Sequence, residues 1–319
     1  MSAGPSVIRK SKSPGGRSNL ELVNSLRENF VAAKLDYATF PPQTNGHAPA
    51  PIPPAVEVWT EKTAGSDSSS SSFPDKHIFI PRIHWDGAGL QDEASQYEIT
   101  VKLFFLPPAG AGAHDTASLA AERARYVEDA LRLVTRELGV ATIDLLVASF
   151  PGMSFEGTCE WEADKRNAQQ GNLDDEVATW GVLEALQRAG RVRQLGVAEF
   201  GSEKLAAFMA RTAVRPAVDQ INLRDCCNVP PPLKQLAAAH GIELNVHADC
   251  TDILPPGTLR QLLGHGPQGA GLLADPEHPG EPGWQGEIVP QWVVRYVAFV
   301  RDRGVIENKG YFASAELVN

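Results

Sequence analysis

Apolar positions along this chain follow two alternating rhythms. Between Thr116 and Leu138, the residues Val127, Leu131, Val134 and Leu138 return every three or four positions, which places them on one face of a helix. Gly139 follows. Then Ile143, Leu145, Leu146 and Val147 form a short apolar run that Pro151 and Gly152 stop. A near-continuous run of this kind predicts a parallel strand covered on both faces. The order repeats downstream. Residues 174–189 predict a helix with acids in its first turn, where the helix dipole favours them, and Gly190 just past its end. RQLGVAEF predicts a strand, and Ser202 caps a helix carrying Leu205, Phe208, Met209 and Thr212. AVDQINL (217–223) predicts a strand, residues 231–240 a helix closed by Gly241, and IELNVHA another strand. Trp292, Tyr296 and Phe299 stand at helical spacing and predict a last helix over 290–303, with Gly304 leading into the strand GVIEN.

Upstream, Leu22, Leu26, Phe30 and Val31 predict a helix over 18–36, and HIFIPRI (77–83) and YEITVKLFF (97–105) predict two strands. Helices alternating with parallel strands argue for an α/β fold with right-handed crossovers. The strands number one fewer than a (β/α)8 TIM barrel requires, and PSVIRK is the weak candidate for a degenerate first strand. An open doubly wound sheet is the competing architecture, but the glycine-rich phosphate fingerprint that accompanies it is absent. The expected organisation is a flexible tail over 1–17 and one barrel domain over 18–319. Within that domain the Pro- and Ser-rich stretch 40–76 reads as a flexible insertion, and 264–287 as an irregular loop ordered in part by Trp284.

Charge narrows the partners. The 319 residues carry a formal net charge of -10, which argues against nucleic acid or an anionic membrane surface. No apolar run reaches the length of a membrane span, and the basic N-terminus lacks the apolar core of a signal peptide. Four cysteines in a chain of this length do not make a disulfide framework and fit a reducing cytoplasm.

Chemistry is sought at the carboxyl ends of the strands. Lys102 interrupts an apolar strand, where a lysine needs a partner or a polar cavity mouth. Ser149 ends the next strand with no base beside it. Glu199 ends GVAEF, Gln220 and Asn222 share a face of DQIN, and His247 and Asp249 end NVHAD. Cys226, Cys227, His247 and Cys250 lack the Cys-x2-Cys spacing of a zinc site, so no metal is expected.

The series KLFF, VEDALRLVTRELGVATIDLLVASFP, LEALQRAGRVRQLGVAEF and PAVDQINL resembles the aldo-keto reductase barrel. Within it, DQINLRDCCNVPPPLKQLAAAHGIELNVHAD and RYVAFVRDRGVIENKGYF resemble the family of glutamate–cysteine ligase regulatory subunits, and GRSNLELVNSLRENF resembles its fungal members. The resemblance implies a catalytic set of Asp, Tyr, Lys and His around a carbonyl reduced by NADPH. Here Lys102 matches the lysine, Ser149 stands at the histidine position, and the stretch 84–100 with Tyr97 is not read as the Asp-Tyr element. Of the implied cofactor contacts, Gln220 and Lys309 remain, while Ala198-Glu199 and His247 replace others. The resemblance therefore implies a non-catalytic regulatory chain without a required cofactor, partnered with the catalytic subunit of glutamate–cysteine ligase in a heterodimer. Glu199, Asn222, Cys226, Cys227 and His247 are the expected partner-facing residues. The alternatives are an NADPH-dependent reductase using Tyr97 and Lys102, or an NADPH-binding redox sensor.

Overall fold

The computed structural model describes residues 1–5, 18–39, 61–62, 77–108, 115–223, 228–247, 249, 252–266, 269–275 and 283–318. The chain opens with β1 (Ser2–Pro5) and α1 (Ser18–Thr39), then a small hairpin of β2 (Glu61–Lys62) and β3 (Ile78–Phe79). The central units are β4 (Tyr97–Phe105), α2 (Thr116–Leu138), β5 (Ile143–Ser149), α3 (Glu160–Asn167) and α4 (Leu173–Arg188). They continue with β6 (Val192–Ala198), α5 (Ser202–Met209), β7 (Val218–Asn222), α6 (Pro231–His240) and β8 (Glu243–His247). After α7 (Thr258–Leu263) come two long strands, β9 (Glu287–Val300) and β10 (Val305–Val318). Among the described residues no helix is long and apolar enough to cross a membrane.

One eight-stranded sheet runs β1-β10-β9-β4-β5-β6-β7-β8. From β4 to β8 every pairing is parallel, with Lys102 beside Val147, Val197 beside Asp219 and Asn222 beside His247. This is the βα half that the alternating rhythm predicts. Local chemistry sets its helices: Asp115 caps α2 by accepting the Ser118 amide, and Gly139 closes it in the left-handed region at φ 65°. Val127, Leu131, Val134 and Leu138 then lie buried against the odd-numbered face of β4.

The other half differs from the expectation. Residues 290–303 are strand, not helix, and β9 and β10 form an antiparallel hairpin that β4 extends. Trp292 and Tyr296 satisfy a period of two as well as one near four. The β-branched run of Val293, Val294, Val297 and Val300 favours the pleated form. Even-numbered residues from Trp292 to Val300 join the core with α2, and Val293 joins the opposite layer. HIFIPRI contributes only Ile78–Phe79, paired with β2 and outside the main sheet. Ser2–Pro5, expected in a flexible tail, is a strand on β10, and the remainder of the tail and most of 40–76 lie outside the described residues. α1 lies across the second face of the sheet, with Leu22, Leu26 and Phe30 packed with Phe104, Val293, Tyr311 and Ala313. Val31 faces solvent. Within 264–287, Trp284 exchanges backbone hydrogen bonds with Leu272 and Ala274.

Candidate functional site

Register places the candidate side chains. On β4, Lys102 and Phe104 face the layer under α1, while Tyr97, Ile99, Val101, Leu103 and Phe105 face α2. Lys102 is paired with Arg295 of β9, and Arg295 with Tyr311 of β10. Cross-strand partners share a face, so two cations and a phenol stand in one row across three strands. Asn222 and His247 pair at the ends of β7 and β8, and Asp249 follows two residues on.

These groups form one buried network. The Lys102 ammonium donates to Asp249 Oδ2 at 3.1 Å, and Arg295 Nη1 donates to Asp249 Oδ1 at 2.5 Å. Burial opposes the Asp249 charge, but Lys102 and Arg295 outweigh it and hold the carboxyl below its usual range. Burial lowers Lys102, with Asp249 and Glu199 acting against the shift. The Asp249 backbone N–H donates to His247 Nδ1 at 3.1 Å, which assigns the ring proton to Nε2. Nε2–H faces Glu199 Oε1 at 2.7 Å. Lys102 Nζ lies 3.4 Å from the same nitrogen, which has no lone pair left to accept, so Asp249 is the ammonium's acceptor.

Glu199 is held in a conformation that side chains seldom adopt. Its φ is 64°, the one positive value outside glycine among the described residues. Its N–H donates to the Gln220 carbonyl at 2.8 Å, and its own carbonyl accepts from Asn167 Nδ2 at 2.7 Å. The carboxylate then reaches both His247 and the Asn222 N–H. Asn222 Nδ2 donates to the Asp249 carbonyl at 2.9 Å. Beside them Asp219 is wholly buried; Oδ1 accepts a long bond from the Phe200 N–H, and Oδ2 has no hydrogen-bond partner. Burial first, and the Glu199 charge second, push its carboxyl well above the normal range.

The structure thus gathers Lys102, Glu199, Asn222 and His247, and it leaves Lys309 apart. Lys309 Nζ pairs with Glu21 Oε1 of α1 at 2.5 Å, and the Tyr311 hydroxyl donates to Glu21 Oε2 at 3.1 Å. A carboxylate of the chain itself thus takes the Lys309 charge. Gln220 is half-buried on β7, and Ser149 is half-buried at the end of β5. Glu199 and Asn222 are buried, and His247 is partly exposed. Cys226, Cys227 and Cys250 lie outside the described residues. Asp92 does stand five positions before Tyr97, the spacing of an Asp-x4-Tyr element. Yet the Tyr97 hydroxyl is spent on Glu307 Oε2 at 2.5 Å and accepts the Asp92 N–H, on the face of β4 opposite Lys102. Among the described side chains no tyrosine hydroxyl bonds the Lys102 ammonium. Sequence reading left Asp249 without a role and missed Arg295, because the helix expected over 290–303 hid a charged residue in the middle of an alternating apolar strand.

With this geometry in hand, comparison with known proteins is direct. A model of the Aldo/keto reductase family matches residues 86–248. A putative glutamate–cysteine ligase regulatory subunit of Schizosaccharomyces pombe is 28% identical over 234 residues, covering 71% of this chain and 74% of that one. The glutamate–cysteine ligase regulatory subunit of Rattus norvegicus is 25% identical over 225 residues, covering 70% and 68%. The Homo sapiens subunit is 25% identical over 226 residues with the same coverage, 70% and 68%.

Proposed function

From a chain that belongs to the aldo/keto reductase family, we infer a regulatory rather than a catalytic role: it is a regulatory subunit of glutamate–cysteine ligase. Its relatives with long alignments carry that name, and the fold is the α/β architecture of the family. One observation carries the reading at the site. The family's lysine is kept, but its ammonium is closed into an ion pair with Asp249, and Ser149 cannot supply a proton as an imidazole would. In this reading the row serves the fold through its internal partners and does not serve a reaction.

The partner is the catalytic subunit, bound as a heterodimer through the surface around His247 and residues 228–232, which lead into α6. Regulation is differential binding. The chain prefers the conformer of its partner that binds glutamate well and glutathione poorly, and that preference shifts the equilibrium. The two purified subunits should co-elute on gel filtration, and the mixture should need less glutamate for half-maximal rate than the catalytic subunit alone. Separate elution at micromolar protein, with an unchanged glutamate dependence, would discard the role. The reductase alternative predicts NADPH oxidation with an aldehyde, lost in Lys102→Met.

A further inference from the structure

A cavity of about 390 Å³ lies where the β9–β10 hairpin, the end of α7, one turn of α2 and the segment entering β3 meet. It is separate from the Lys102 row. Phe79, Trp284, Trp292, Ile288, Leu133 and Leu317 supply most of its apolar wall. Polar groups gather on one side, where His77 Nε2 stands 3.9 Å from Asp129 Oδ2 and Arg132 holds Asp129 Oδ1 at 2.9 Å.

The walls are fixed before any ligand arrives. Trp284 is held by backbone hydrogen bonds to Leu272 and Ala274, and Trp292 is buried on β9. Met1 closes one margin by donating its amino group to the Ala313 carbonyl at 2.5 Å. Protein interiors are close-packed and leave few voids larger than a water molecule. A hollow of this size, mostly apolar with a few convergent polar groups, has the dimensions and make-up of a small-molecule site. Two indoles and a phenyl ring favour an aromatic occupant, and the Asp129 carboxylate accepts a hydrogen bond at one end.

We propose that this cavity binds an uncharged aromatic molecule that lies against Trp284 and Trp292 and donates one hydrogen bond to Asp129. β9 carries Trp292 into the cavity and Arg295 into the charged row, so an occupant touches the strand that also frames the candidate site.

Calorimetric titration of the full chain with 2-naphthol and with 2-methoxynaphthalene tests this. The expected result is one saturable site per chain, filled more tightly by 2-naphthol, whose hydroxyl can donate. Ala315→Trp should weaken binding about tenfold or more, because the added indole takes the ligand's volume. Asp129→Ala should erase the preference between the two probes, because it leaves no side-chain acceptor there. Circular dichroism checks that each variant is folded, and Ile288→Trp replaces Ala315→Trp if that one is not. Absence of saturable heat for either probe, or unchanged binding in the folded cavity-filling variants, overturns the proposal.

Discussion

At Lys102 the ammonium is held by charges that only its neighbours supply. Removing one member of a buried ion pair leaves the other uncompensated, so Lys102→Met should lower unfolding stability by about 3 kcal/mol. Urea denaturation at pH 7 measures it; a loss below that of an ordinary surface substitution would mean that Arg295 alone neutralises Asp249. Asp219 and Asp249 respond to pH in opposite senses. Asp249 has its carboxyl depressed in the folded state, so its contribution is present above the unfolded value near 3.9 and lost as pH falls through the folded one. Asp219 has its carboxyl raised, so the folded state keeps a proton the unfolded chain gives up, and stability declines as pH rises from about 4 towards the folded value. Asp219→Asn should remove that decline: the difference in stability between pH 5 and pH 8 should shrink relative to the unsubstituted protein. An identical pH profile in both would show that Asp219 titrates normally.

Elements were legible where one rhythm excluded the other. The stripe of α2 admits no period of two, and Asp115 and Gly139 mark its ends, so it could be read from sequence alone. Residues 290–303 could not, since Trp292 and Tyr296 serve both periods and the choice falls to packing on β4. α1 was legible as a helix, but its place was not: nothing local says that Leu22, Leu26 and Phe30 meet Phe104 and Tyr311. That docking should matter energetically. Leu26 is wholly buried, and Leu26→Ala should cost about 3 kcal/mol, read as a lower denaturation midpoint with faster proteolysis within 18–39. A midpoint unchanged within error would show that α1 contributes nothing to the folded sheet.

On the scale of the whole molecule, an acidic chain keeps the strands of a reductase and closes their polar row on itself. NADPH titration should therefore give no saturable quenching of tryptophan fluorescence, since Glu21 already neutralises Lys309; tight, stoichiometric quenching would restore the sensor alternative. The sequence by itself determined the βα units, the family likeness and the isolated lysine in an apolar strand. These are written in short-range periodicity, in caps and in motifs a few residues long. Tertiary structure alone decided that 290–303 pairs as a strand, that Arg295 and Asp249 enclose Lys102, and that Glu21 reaches Lys309 from the far end of the chain. Those outcomes depend on register and on burial between distant segments, where the free energy of a charge is set by partners that no local pattern names.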